Sequence, residues 1–452
     1  MKTKLSLIEA VLGELTIAQA GVIKPPELKG RLWIPPTLPT ADGRQFAATN
    51  RALSLIGDYA ELVLANTPQA GMIYTRQDFR ALAHRAFGKA LTDIDPATPT
   101  LPLEDIQQAI DGAIAEEMAP HPSQEFMFGG WFLREDRRYN VSLGPIRIED
   151  RQTWLERAKA EGKVSAVVAG RLERLWSGGR LGELKEKYES VRERGIITAV
   201  DACPAVVSVR TLGLTGKSAE TKALQAARLA LAGIAMLWET PSKSLTGIHL
   251  LLDGGLYRER YVVFGERGRF GTRANNPRTP GGIIIYEKFE DIWANAQPWL
   301  TTIGEAIGAY VDVDHPTTRP GLINALFLSL WWFEQGCQEK APLMAAVKFA
   351  ASMDALAKGG GIPAIVKLVE ARLGMEPGSA LTTAGRTAKD VITEIYKSAR
   401  SKTIHGSNVR IAHDWTDTRD IAERLARLCL ILCAVWMHEN ASSDDILALQ
   451  VP

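Results

Sequence analysis

Apolar residues recur at helical spacing through residues 1–120 and again beyond residue 316, which is typical of amphipathic helices. Between these regions the period shortens at 126–133, 138–141 and 146–148, where apolar residues and glycine turns predict short strands. The pattern therefore predicts an α+β chain, in which a mixed helical and small-sheet amino-terminal region precedes an all-α helical bundle.

The middle of the chain alternates between charged helical stretches and short apolar runs. Residues 150–194 carry many charges around an apolar stripe and predict helix, 196–214 predicts a strand, and 221–237 predicts an alanine-rich helix. We expect the three apolar runs that follow to form a small sheet packed on that last helix. These runs are 248–252, 261–264 and 282–286.

Prolines at helix starts and glycines at helix ends divide the carboxy-terminal region. We predict a helical domain over 316–452, preceded by a mostly helical region over 1–120 and an α+β region over 121–315. The apolar face of 421–437 should be buried. The predicted carboxy-terminal helices are 320–333, 342–358, 363–373, 387–404 and 417–439.

The composition is that of an ordinary soluble protein, with 452 residues of which 46% are hydrophobic and 23% charged. We expect it to be cytoplasmic and not in a membrane, because no signal-peptide core follows Met1 and every apolar run is short. A net charge of +1 gives no global attraction to nucleic acid, so a basic surface for RNA must be local. We expect Cys429 and Cys433 to be buried thiols.

The clearest chemical signal is Arg400 followed by His405 and Gly406. Histidine moves protons near neutral pH and the planar guanidinium of arginine fits phosphate oxygens, which are the functions that metal-free RNA cleavage requires. On an ideal helix the two side chains lie roughly 140° apart. They converge if the helix ends between them, or if they meet the corresponding side chains of a second subunit. Gly406 favours the first arrangement, because glycine commonly ends helices in the left-handed conformation.

Residues 396–406 (YKSARSKTIHG) end an amphipathic helix and precede the apolar helix at 421–437. In this order they resemble a HEPN domain, and more narrowly the Apea-like HEPN group, over about residues 318–440. The resemblance implies a metal-independent endoribonuclease that works as a homodimer, with the motifs of two subunits facing one another. It also implies a role in antiphage defence or as a toxin.

In such a reaction the RNA 2′-hydroxyl attacks the neighbouring phosphorus, so no metal or other cofactor is called for. His405 would transfer protons, and Arg400 would stabilise the charge that builds on the phosphate oxygens. Asp354, on an earlier helix, is a candidate to orient or pair with Arg400. Ser401, another candidate orienting group, stands where many HEPN nucleases carry Asn or Asp. The cations that we expect to hold RNA phosphates are Lys397, Lys402 and Arg410.

Two alternatives stay open. The chain could be a non-catalytic RNA-binding, nucleotide-binding or sensor protein whose helical domain serves for dimerisation. A P-loop-like NTPase is suggested by 212–218, which includes Lys217, but a full phosphate-binding loop needs glycine where this chain has Thr211. A glycine turn followed by a helix with Ser218 as its N-cap explains that string more simply.

Two weaker signals remain. The basic, glycine-rich segment 266–273 is either a surface loop or an RNA-guiding loop, and His413 could join the site of His405 through the intervening loop.

Overall fold

The chain divides into two compact units, one formed by residues 1–123 with 212–221 and the other by 124–211 with 222–452. Helices and antiparallel strands are both present, so the predicted α+β class is confirmed. The computed structural model describes residues 3–21, 36–118, 122–132, 138–253, 259–264, 270–275, 286–410 and 412–452.

The first unit is a set of helices with one short hairpin. The side chains of Thr3, Thr49 and Thr75 begin three of the helices by accepting backbone N–H groups. In the core, the rings of Tyr59 and Phe87 pack edge to face with centroids 5.1 Å apart. The helical period predicted these helices but not the hairpin. The elements are α1 (Lys4–Gln19), β1 (Thr37–Pro39), β2 (Gln45–Ala47), α2 (Asn50–Asn66), α3 (Pro68–Ile73), α4 (Arg76–Ala90) and α5 (Leu103–Glu117).

The second unit contains a five-stranded sheet whose paired strands are all antiparallel. A glycine pair brings this sheet close to a long helix: a Cβ on Gly144, in the turn of one hairpin, would lie 2.3 Å from the carbonyl oxygen of Gly304. The strands, in sheet order, are β4 (Asn140–Leu143), β5 (Ile146–Asp150), β6 (Ala205–Thr211), β3 (Gln124–Trp131) and β7 (His249–Leu250).

The strand predicted over 196–214 is wrong in its first part. Ile196 and Val200 lie in a helix, and the strand begins only at Ala205, after Pro204. Both residues are buried in the same apolar cluster as Trp154, so tertiary burial overrides the strand preference of β-branched side chains. The helices on either side of β6 are α6 (Arg151–Ala160), α7 (Ala166–Trp176), α8 (Lys187–Val200), α9 (Gly216–Ala235) and α10 (Pro241–Gly247).

The small sheet predicted from three apolar runs is also wrong. The run at 248–252 contributes β7 to the main sheet, whereas 261–264 lies in β8 (Glu259–Phe264), which pairs with β9 (Phe270–Asn275). Residues 282–285 of the third run lie outside the described residues, and Tyr286 begins α11 (Tyr286–Val311). This helix contains Pro298, and the sequence pattern did not indicate it.

Beyond residue 316 the structure is helical, and the proline and glycine signals placed most helix ends within a few residues. The buried face of the last long helix is confirmed by Ala426, Leu430 and Met437, and Cys429 and Cys433 are buried free thiols as predicted. The helices are α12 (Pro320–Gln338), α13 (Pro342–Leu356), α14 (Gly361–Leu373), α15 (Ala388–Thr393), a π-helix (Glu394–Ser401), α16 (Lys402–Ile404) and α17 (Thr416–Glu439).

One hydrophobic cluster joins the main sheet to these helices, from Val207 on β6 through Ile303 on α11 to Phe349 on α13. The regions predicted as 121–315 and 316–452 therefore share a core within the second unit. No helix in the described part of the chain is both long enough and apolar enough to span a bilayer.

Candidate functional site

The Arg400 and His405 signal lies on a helix that changes type within its length. Thr387 begins it with a capping box, in which its hydroxyl accepts the Asp390 N–H and the Asp390 carboxylate accepts the Thr387 N–H. From Glu394 to Ser401 the helix is π-helical, and the Lys402 N–H donates to the carbonyl oxygen of Lys397, five residues back. π-Helical turns are rare in proteins overall, and those that occur are often found at functional sites.

Arg400 is held by two side chains. Its Nη2 lies 3.2 Å from Asp354 Oδ2, and its Cζ lies 4.7 Å from the ring centroid of Tyr396, one turn earlier. The Arg400 side chain is 25% exposed, against 9% for Asp354. Arg400 Nε is buried and has no hydrogen-bond partner in the described structure. The pairing of Asp354 with Arg400, suggested by the sequence, is present.

Asp354 is itself fixed by two hydrogen bonds. The Gly361 N–H donates to Oδ1 at 3.0 Å and the Tyr396 hydroxyl donates to Oδ2 at 3.3 Å. Burial raises the pKa of Tyr396, and the Asp354 charge adds to this effect while Arg400 opposes it. We call Asp354 and Tyr396 together the arginine clamp, because each contacts both the other and Arg400. The role of Tyr396 was not predicted from the sequence, because its contacts depend on how α13 packs.

His405 ends the helix and is exposed. Gly406 follows with φ +68°, its N–H donates to the Thr403 carbonyl at 3.2 Å, and the Ser407 N–H donates to the Lys402 carbonyl at 2.8 Å. These two bonds form a Schellman motif, so the role expected for Gly406 is confirmed.

The helix does not end between the two signal residues. It continues through Arg400 to Ile404, contrary to the first arrangement considered for their convergence. Within the described residues, no hydrogen bond or ion pair joins Arg400 to His405. Arg400 therefore faces α13, while His405 stands exposed at the end of the helix.

The loop after His405 is tied back to the helix by Asn408. Its Nδ2 donates to Thr403 Oγ1 at 2.9 Å, and its Oδ1 accepts the Arg410 N–H at 3.0 Å. Sequence reasoning missed this residue, although asparagine shortly after a glycine cap is a common loop-fixing signal. The predicted orienting residue Ser401 is half-buried, and its carbonyl oxygen accepts the His405 N–H at 3.0 Å.

Basic side chains outnumber acidic ones around Arg400 and His405, so the local charge is positive. Glu394 pairs with Arg386, and hydrogen bonds from the Thr387 hydroxyl and N–H lower the pKa of Asp390. Within the part of the chain that the structure describes, no ion pair involves the three predicted phosphate-binding cations. Lys397 and Arg410 are exposed and Lys402 is half-buried.

The P-loop-like string has a different role. The strand before it, β6, is antiparallel to both neighbouring strands, whereas a phosphate-binding loop belongs to a parallel sheet. Lys217 pairs with Glu220 on the first turn of α9. That helix begins at Gly216, so Ser218 lies inside it, and the expectation that Ser218 would be the N-cap is wrong.

The other histidines that the structure describes do not gather into a site. His249 is buried and stacks on Trp131 at 4.9 Å, and His413 packs edge-on against Trp415 at 4.7 Å. Among the described residues, no group of three His, Cys, Asp or Glu side chains could hold a metal ion. Residues 266–269 of the basic segment 266–273 lie outside the described residues, and 270–273 belong to β9.

Comparisons with models of protein families, with curated proteins and with solved structures find no match for this chain. The site is therefore described by its own geometry.

Proposed function

We propose that this protein is a metal-independent endoribonuclease of the HEPN type. The observation that carries the proposal is the placement of Arg400 in the arginine clamp on the helix that His405 ends. A fixed guanidinium and an exposed imidazole lie near Lys397, Lys402 and Arg410, for which the described residues supply no ion pair, and cleavage of a polyanion requires such cations.

The proposed reaction uses a nucleophile from the substrate. The RNA 2′-hydroxyl loses its proton to a His405 imidazole and bonds to the adjacent phosphorus, while the bond to the 5′-oxygen breaks and that oxygen takes a proton. The products are a 2′,3′-cyclic phosphate and a 5′-hydroxyl. Arg400 stabilises the charge on the non-bridging oxygens, and Lys397, Lys402 and Arg410 hold the flanking phosphates.

A homodimer fits this chemistry. Arg400 and His405 are not in contact within one chain, and proton removal and proton donation call for two acid–base groups. Two copies with facing motifs would supply both imidazoles and bring the arginine of one copy near the histidine of the other. We place the reaction in the cytoplasm, in antiphage defence or as a toxin, on the resemblance alone.

The test is cleavage of end-labelled RNA in excess EDTA. We expect the native chain to cut, Arg400→Ala and His405→Ala to lose about 100-fold or more in rate, and His438→Ala to cut normally. The last variant is the matched control, since His438 is an exposed histidine in the last turn of α17. Cutting by His405→Ala at the native rate, or an absolute need for magnesium, would overturn the proposal.

A non-catalytic RNA-binding or sensor function is the second candidate. One observation favours it: Asp354 balances the charge of Arg400. The two functions separate in the same assay, because a binding protein would shift the mobility of labelled RNA and leave the strand intact.

A further inference from the structure

We infer that Tyr396 is a positioning residue for Arg400. This inference rests on the proposed function and adds to it a residue that sets how the arginine presents its charge to a phosphate. The guanidinium lies against the tyrosine ring, and the tyrosine hydroxyl donates to the same carboxylate oxygen that faces Arg400 Nη2.

The clamp restricts the arginine in two directions. The ring of Tyr396 limits movement perpendicular to the guanidinium, since a cation over an aromatic face is attracted to it. Asp354 limits rotation in the plane by holding Nη2 at 3.2 Å. Arg400 Nε is buried, and Nη2 faces Asp354.

Gly361, at the start of α14, lies against both members of the clamp. Its φ of +64° is a conformation that other residues rarely adopt, and a Cβ there would lie in ordinary contact, 3.4 Å from the Tyr396 hydroxyl oxygen. The same glycine donates its N–H to Asp354 Oδ1. The backbone conformation at Gly361 therefore helps to place the carboxylate that faces Arg400.

The first test compares two substitutions at Tyr396 in the full chain. Tyr396→Leu removes the ring and the hydroxyl, and we expect kcat for RNA cleavage to fall about 10- to 100-fold, as for a misplaced catalytic group. KM should change less than about twofold, because the arginine acts mainly in the transition state. Tyr396→Phe keeps the ring and should lose less than about fivefold, since the lost hydrogen bond is long at 3.3 Å.

A matched control lies on α8. Arg192 Cζ lies 5.7 Å from the ring centroid of Tyr188, at the same sequence spacing as Arg400 and Tyr396. Tyr188→Leu should leave kcat unchanged. A kcat of Tyr396→Leu within about twofold of the native value would overturn the inference, whether or not KM rises.

The second test does not depend on RNA cleavage. In Arg400→Ala, methylguanidinium should occupy the space between Tyr396 and Asp354 and raise the thermal unfolding midpoint, whereas methylammonium, which lacks the planar fork, should not. The double variant Arg400→Ala/Tyr396→Leu should lose this response. If methylguanidinium stabilises both variants equally, or neither, Tyr396 does not position a guanidinium.

The two tests separate the inference from the proposed function. A native chain that leaves RNA intact would refute the nuclease, and the methylguanidinium response would still decide whether Tyr396 positions the arginine. In an active nuclease, methylguanidinium should also restore cleavage to Arg400→Ala but not to the double variant.

Discussion

Arg400 contacts a carboxylate on another helix, and Asp354 in turn accepts hydrogen bonds from a backbone N–H and a tyrosine. The sequence suggested Asp354, because it is the only acidic residue in the middle of the helix where the resemblance expects a polar partner. Tyr396 and Asn408 could not be found in this way. Their partners are set by helix packing and loop geometry, which a spacing of residues along the chain does not encode.

Glu334 on α12 is a buried acid of this helical core, at 1% exposure. Burial raises its pKa, and the neighbouring Asp253 adds to the effect while Gln335 and Arg228 oppose it. The folded state therefore keeps a proton that the unfolded state has already released, so the stability contributed by this group falls as the pH rises from its ordinary pKa through the raised folded pKa. Glu334→Gln should gain stability relative to the native chain over that range, in urea unfolding at each pH.

Glu339 is the control for this prediction, because its pKa shifts the other way. Burial raises it, but hydrogen bonds from Lys348 and from the Ala341 and Lys340 N–H groups outweigh burial and lower the pKa. Its contribution is present at neutral pH and lost as the pH falls through the folded pKa, so Glu339→Gln should lose stability most at neutral pH. Parallel pH profiles for the two variants would contradict both assignments.

At the scale of elements, proline and glycine made the carboxy-terminal helices predictable, since these residues act locally on the backbone. The π-helix and α11 were not predictable. A π-turn carries no distinct composition, and α11 contains Pro298, which ordinarily argues against a helix. Likewise, α8 contains β-branched residues, which favour strands, so its last part was not predicted as helix.

The end of the motif helix provides an element-scale prediction. Gly406→Ala should cost about 1–2 kcal/mol of unfolding free energy, because alanine is strained at φ +68°. Gly374→Ala should cost a similar amount, since Gly374 ends α14 at φ +65° with open space around its Cα. We expect only Gly406→Ala to lower RNA cleavage, because only that cap fixes His405. Equal loss of cleavage in both variants would show that the effect is one of stability alone.

At the scale of the whole molecule, a net charge of +1 provides no long-range attraction to RNA, so any attraction must come from local cations. The second unit joins the sheet and the helical region through one core, so the site rests on a packed scaffold rather than on a loop. The sequence predicted the fold class and the basic surroundings, but it could not predict that the two regions share this core.

Salt dependence tests the local attraction. Alanine at Lys397, Lys402 and Arg410 together should reduce the slope of log kcat/KM against log salt concentration by about 2, at roughly 0.7 per phosphate contact on single-stranded RNA. A control with alanine at the exposed residues Lys185, Lys243 and Lys367 should keep the native slope. Equal slopes in both triple variants would show that Lys397, Lys402 and Arg410 do not contact RNA phosphates.

The most direct measurement follows a single 2′-hydroxyl. An RNA strand cut by the native chain in EDTA is compared with the same strand carrying a 2′-deoxy sugar at the mapped site. We expect a 2′,3′-cyclic phosphate on the all-RNA product, no cut at the deoxy position, and an intact strand with His405→Ala. Cleavage at the deoxy position, or products that carry a 5′-phosphate, would contradict it.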